Sequence, residues 1–172
     1  TFAIEAFEVT NFQYRHCVEV GSCEEPMATN TIGIDDYYAN PTYDDYPVVN
    51  VTHEMAAAYC KYHERRLPTE IEWERAAAGP GTHEGDKRPW PVPEYTIDVN
   101  QCAGKLYDIN LKVCNGRSSP VAVGVSTQDV VQEGDDPGAR IHDLTGNVSE
   151  WVDGFYRLDL TCKEALPAAC DC

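Results

Sequence analysis

The segment Asp143-Leu-Thr-Gly-Asn-Val-Ser-Glu150-Trp concentrates the residue types best suited to hold a hard cation. Two carboxylates, Asp143 and Glu150, bracket the turn-forming pair Gly146-Asn147. Calcium takes about six to eight oxygen ligands in flexible geometry, mixing carboxylates with main-chain carbonyls. A calcium site from the Asp143 and Glu150 side chains and the carbonyls of Gly146 and Val148 is therefore chemically sound. The competing reading is an Asx-type turn, in which Asp143 bonds its own backbone two residues on.

Other chemistries find less support. His16, His53, His63, His83 and His142 show no metal-ligand spacing, and His53 and His63 read as surface or capping residues. The chain has no G-x-S-x-G elbow, no Cys/His nucleophile context and no Walker-type phosphate loop. Asn50-Val-Thr52 and Asn147-Val-Ser149 are glycosylation triplets that matter only in a eukaryotic secretory pathway.

Eight cysteines stand at positions 17, 23, 60, 102, 114, 162, 170 and 172, without the paired C-x-x-C knuckles of a zinc site. They point to disulfides in an oxidising compartment: extracellular, cell-surface or periplasmic. Cys17 with Cys23, around Gly21, and Cys102 with Cys114 would close short loops, each worth roughly 2–4 kcal/mol. The formal net charge is −16, which repels phosphate backbones and argues against a nucleic-acid partner. All basic residues lie at Arg15 or from Lys61 onward, so Glu24, Glu25, Asp35, Asp36, Asp44 and Asp45 form a stretch that is either a cation-binding or a plain solvated face. No run approaches the ~20 apolar residues of a membrane helix.

The elements that must position these groups fit one domain over residues 1–172. "FAIEAFEV" reads as an N-terminal strand. Thr10 and Gln13 have capping-box spacing and open a helix that Gly21 ends. Residues 22–47 read as a long tyrosine-rich loop, and "PVVNV" as a short buried strand or extended lead-in. Thr52 caps a second helix with Met55, Ala58, Tyr59 and Tyr62 as its apolar stripe. Pro68 stops the chain, Thr69 caps a third helix, and Glu72 completes the box, with Ile71 and Trp73 expected to pack. From 79 to 140 the pattern weakens to loops with short β-type runs such as "PVAVGV". "IHDLTGNVSEWVDGFYR" reads as a tight turn leading into a strand. Segregated helices and strands favour an α+β fold.

Four ordered blocks, "EVTNFQYRHCV", "YPVVNVTHEMAAAYCKYHERRLPTEIEWERAA", "RPWP" and "HDLTGNVSEW", resemble the formylglycine-generating enzyme, or sulfatase-modifying factor, family. The resemblance implies a C-type-lectin-like α+β fold with two or three helices, short antiparallel strands and much irregular loop. It implies a calcium site at Asp143, Gly146, Val148 and Glu150, and a second at Asn100 with Asp108. Family enzymes oxidise a substrate cysteine with oxygen, using copper held by two cysteines beyond the last block. Copper is expected here only if a further C-terminal segment supplies its ligands, so the domain is expected to be incomplete at that end. Ser149 stands where the family has Trp, and Pro91 where it has Gly. In many members the cysteine equivalent to Cys60 pairs near the C-terminal end. In this chain Cys60 is expected to be free, to use Cys162, Cys170 or Cys172, or to bond another polypeptide.

Three functions stand as expectations. The first is a noncatalytic, calcium-stabilised, disulfide-stapled domain for binding or assembly, with a protein or completing polypeptide as partner and carbohydrate as an alternative. The second is a fragment of a copper- and oxygen-dependent oxidase. The third is a structural subunit of a fibre or surface layer completed by a neighbouring chain.

Overall fold

The computed structural model describes residues 2–79, 119–126, 129–132 and 140–154. Three helices carry the first half, each started by a threonine. Thr10 Oγ1 accepts from Gln13 N at 3.2 Å, and Gln13 Oε1 accepts from Thr10 N at 2.9 Å, opening α1 (Asn11–Glu19). Thr52 Oγ1 accepts from Met55 N at 3.3 Å at the start of α2 (His53–Tyr62). Thr69 and Glu72 exchange the same pair of bonds, at 3.3 and 2.9 Å, at the start of α3 (Glu70–Ala78). Each cap satisfies main-chain donors that a helix cannot satisfy itself. Gly79, at φ 77°, ends α3 in a conformation that suits glycine.

Two strands, β1 (Val130–Gln132) and β2 (Arg140–His142), pair antiparallel with Val131 opposite Ile141. Those two side chains point to one side and join Ala76, Ala77 and Leu144 in one apolar cluster, with Ile4 and Trp73 against it. A second cluster joins Tyr14, Cys17, Tyr38 and Tyr59, flanked by Val9, Val48 and Val51. The Tyr14 ring stacks on Tyr59 at 5.7 Å and meets Tyr38 edge-on at 6.4 Å. Helices plus a small antiparallel sheet in irregular chain make the molecule α+β.

Several expectations need correction. Residues 2–9 do not form a regular strand. They run extended and are tied at separate points, by Val48 N to Val9 O and His142 N to Ala6 O, so among the described residues no single neighbour builds a ladder. The run at 120–125 turns at Gly124 (φ 69°) rather than pairing. The strand of the last block precedes its turn, and the turn leads into extended chain that pairs Asp153 with Thr69. Ile71 is 57% exposed, because α3 buries the face of Ala76 and Ala77; Trp73, three and four residues before them, shares that face.

The long loop is stapled and self-packed. Cys17 and Cys23 form the expected disulfide, with Cα atoms 5.3 Å apart. Tyr37, Tyr43 and Tyr46 pack on one another, and Tyr37 donates its hydroxyl to Pro47 O at 2.6 Å. Arg15 reaches across to Tyr38 O and the Asp44 carboxylate. These tyrosines therefore hold the loop to its own domain. Cys102, Cys114 and the three C-terminal cysteines lie outside the described residues. Replacing Cys23→Ser opens the six-residue staple while leaving the buried Cys17 in place. Chemical denaturation is expected to show a loss of about 2 kcal/mol; an unchanged midpoint would mean the loop is held by its tyrosines alone.

Candidate functional site

The last block folds as a knot of buried polar groups. Asp143 comes directly after β2, is 1% exposed and sits at φ 61°; Asn147 shares that left-handed backbone, also at 61°. The turn's unusual torsions thus fall on Asp143 and Asn147, where the short polar side chain tolerates them, and not on Gly146. Asp143 does not close an Asx turn on its own backbone. Its Oδ2 accepts from Gly124 N, 2.6 Å away on a separate segment. The turn is closed instead by Asp129, whose carboxylate accepts from Thr145 N at 3.0 Å.

Two more carboxylates complete the surroundings. Glu8, from the N-terminal segment, accepts from Asn147 Nδ2 at 2.6 Å and from Val148 N at 3.3 Å. Glu150 accepts from Trp73 Nε1 of α3 at 2.5 Å. Asn147 also pairs with Val121 in both directions, at 2.9 and 3.2 Å. The turn is therefore clamped by four remote parts of the chain.

Among the described residues, Asp143 Oδ1 is buried without a hydrogen-bond partner, and so are its neighbour His142 Nδ1 and Thr145 Oγ1. A buried polar atom without a partner costs about 1–3 kcal/mol, so three within four residues call for a physical cause. Burial pushes the Glu8 carboxyl up to about 9 against the Asn147 hydrogen bond, and the charges of Asp143 and Glu150 push it further. Burial likewise raises Asp129 and Asp143. Glu150 is raised by desolvation despite being open to solvent at its edge, with Asp143 and Asp129 adding repulsion. Desolvation by burial is the first cause for all four carboxyls, with repulsion between neighbouring carboxylates adding to it for Glu8, Asp129 and Glu150. Among the described residues no three His, Cys, Asp or Glu side chains converge to hold a metal ion.

Of the sequence candidates, the structure brings together Asp143, Gly146, Val148 and Glu150 along one turn, while Asn100 and Asp108 lie outside the described residues. Glu8, Asp129 and Trp73 are members that motif spacing missed. Glu8 opens the "EVTN" block but sits far away in sequence, and Asp129 belongs to no motif. Both glycosylation triplets have their asparagine amides engaged: Asn50 Nδ2 donates to Ala28 O and Asn30 O, and Asn147 Nδ2 to Glu8 and Val121. Beside the turn runs a trough of about 780 Å³, lined by residues 2–9, Cys60, Leu67, Leu144 and Val148–Trp151. Ser149 lies on its wall, exposed.

Comparison with known proteins identifies relatives of this chain. The family model described as the sulfatase-modifying factor enzyme 1-like domain matches residues 1–166. The chain is 34% identical over 113 residues to inactive C-alpha-formylglycine-generating enzyme 2 of Bos taurus, covering 66% of this chain and 34% of that protein. It is 28% identical over 169 residues to serine/threonine-protein kinase pkn1 of Chlamydia caviae, covering 92% and 24%. It is 28% identical over 126 residues to formylglycine-generating enzyme of Thermomonospora curvata, covering 70% and 37%. The chain thus spans 24–37% of the length of these relatives. With capped helices, small sheet and polar turn all inside the matched span, the chain belongs to the formylglycine-generating enzyme, or sulfatase-modifying factor, family.

Proposed function

We propose that this chain is a noncatalytic formylglycine-generating-enzyme-like domain, stabilised by calcium and disulfides, that serves binding or assembly outside the reducing cytosol. The observation that carries the calcium reading is Asp143 Oδ1, buried and unpartnered amid carboxyls that resist ionisation. Asp143 and Glu150 would supply side-chain oxygens, Gly146 and Val148 carbonyls, and water the remainder. Such a mixed ligand set is compatible with the absence of a three-side-chain cage among the described residues. The cation would offset the crowded negative charge and tie β2 to α3 through the Trp73–Glu150 bond. Asn100 and Asp108 are proposed for a second calcium.

The noncatalytic reading is supported by Ser149, where family enzymes have a tryptophan, and by the word "inactive" in the names of the Bos taurus and Mus musculus relatives. The partner is read as a protein or a completing polypeptide, with carbohydrate as the alternative. The likeness to a relative named formylglycine-generating enzyme keeps a second reading, part of a copper- and oxygen-dependent oxidase. Oxygen uptake with Cu(I) and a thiol peptide separates the two. No uptake above free copper is expected, and turnover of the peptide thiol to formylglycine would favour the oxidase.

Two outcomes test the site. Calcium at about a hundred times its Kd should add ~2.7 kcal/mol of stability and raise the Tm by several degrees. Asp143→Ala should abolish that rise, and a wild-type Tm indifferent to calcium and chelator would defeat the proposal. In chelator, Glu8 holds a proton in the folded state up to about pH 9 but releases it near 4.5 when unfolded. Its contribution is complete below pH 4.5 and is lost as pH rises toward 9. Denaturation from pH 5 to pH 9 should therefore show falling stability, with a shallower fall in Glu8→Gln. Identical slopes would mean that Glu8 ionises normally.

A further inference from the structure

We propose that the loop face over residues 19–36 is a docking surface for a partner protein, and that it takes a basic segment carrying apolar side chains. This rests on the binding reading above and names its surface and the chemistry of what it holds.

The apolar contacts are already displayed. Val20, Met27 and Ile32 are 52%, 77% and 68% exposed on this one stretch. Large apolar groups left in water together mark contact surfaces, and Met is enriched in them. Ile32 stands at the tip of a two-residue turn. Thr31 and Ile34 exchange main-chain bonds at 3.0 and 3.1 Å, and Gly33, at φ 75°, supplies the left-handed step.

The loop is tied down before any partner arrives. The Cys17–Cys23 disulfide closes its base, and Tyr14 donates its hydroxyl to Glu24 O at 3.0 Å. Met27 N donates to Asn50 O at 2.9 Å, and Asn50 Nδ2 donates back to Ala28 O and Asn30 O at 3.2 and 2.8 Å. Tyr38 N donates to Thr29 O at 2.9 Å. A surface ordered in advance loses less entropy on binding.

Charge selects the partner. Glu24, Glu25, Asp35 and Asp36 are exposed, and among the described residues no ion pair reaches them. Arg15, the one Lys or Arg before Lys61, is committed to Asp44 and Tyr38 O. Tyr38 itself is 6% exposed, and its hydroxyl has no hydrogen-bond partner among the described residues. Burial first, then Tyr14, with Glu25 and Glu19 adding to it, pushes this phenol up to about 12, so the hydroxyl lies within the field of those carboxylates. Its oxygen can accept from an ammonium or guanidinium. The acids do not converge as metal ligands among the described residues, which favours several spread cationic side chains over one ion. The same charge repels nucleic acid and anionic lipid, leaving a basic protein segment.

The probe is a fluorophore-labelled synthetic peptide alternating arginine and leucine, titrated with the full chain. Titration with and without calcium keeps the result apart from that of the calcium site. Two double variants alter the face: Glu24→Gln with Glu25→Gln, and Met27→Ser with Ile32→Ser. Glu64→Gln with Glu74→Gln makes the same charge change on exposed positions outside it. Thermal melting checks that all three remain folded. Each face variant should weaken binding about tenfold, and the control by less than about twofold. No binding by the wild type, unchanged affinity in the face variants, or an equal loss in the control overturns the surface. The binding reading as a whole is overturned separately, by the thiol-peptide turnover described above. Carbodiimide cross-linking of the chain alone is a second readout. Carboxyls of residues 24–36 should stay unlinked; a link to a lysine of the same chain or of a second copy means the face is already covered and overturns the proposal.

Discussion

The burial of Asp143 is the constraint on which most of this structure depends. A carboxylate at 1% exposure needs compensation, and the chain gathers it from distant places. Gly124 donates to it, its backbone N–H bonds Asp129 O, and the Asp129 carboxylate closes the turn after β2. Remove that convergence and the loop at 121–124, the end preceding β1 and the turn after β2 lose their common anchor. The small sheet has three residues per strand, too few for independent stability, so the polar knot beside it holds what the ladder cannot.

The same knot connects both hydrophobic clusters. Glu8 comes from the extended segment that lies between them. It is bonded to Asn147 on one side, and its chain continues into Val9 and Thr10, which join the tyrosine cluster and cap α1. Trp73 packs on the Ala76–Val131–Ile141 cluster while its indole N–H holds Glu150. Trp151 bonds Val51 O just before α2 and stands edge-on to His53. Each large side chain here spends its apolar body on packing and its polar tip on orienting the turn.

Much of this is legible in the sequence because it is local. The three caps at Thr10, Thr52 and Thr69 depend on residues three apart, and spacing shows them directly. The Cys17–Cys23 staple depends on a short loop with a glycine in it. The Asp143–Glu150 turn is visible in sequence as a polar turn between two carboxylates. The strand expected at residues 2–9 does not form, because alternation signals extended chain and not a partner to pair with. Ile71 faces solvent against expectation, because helix phase relative to the core depends on which neighbour the helix meets.

Sequence by itself determined the helices, their starts, the disulfide loop and the family, since all of these are written in short-range pattern. Only the tertiary structure decided that Glu8, Asp129 and Trp73 belong to the site, and that Asp143 is held from Gly124 rather than by its own turn. The reason is separation along the chain: Glu8 and Asn147 stand 139 residues apart yet share a hydrogen bond. No local propensity encodes such a contact. It exists because folding buries a crowd of carboxylates in one place and leaves each of them to find a donor there.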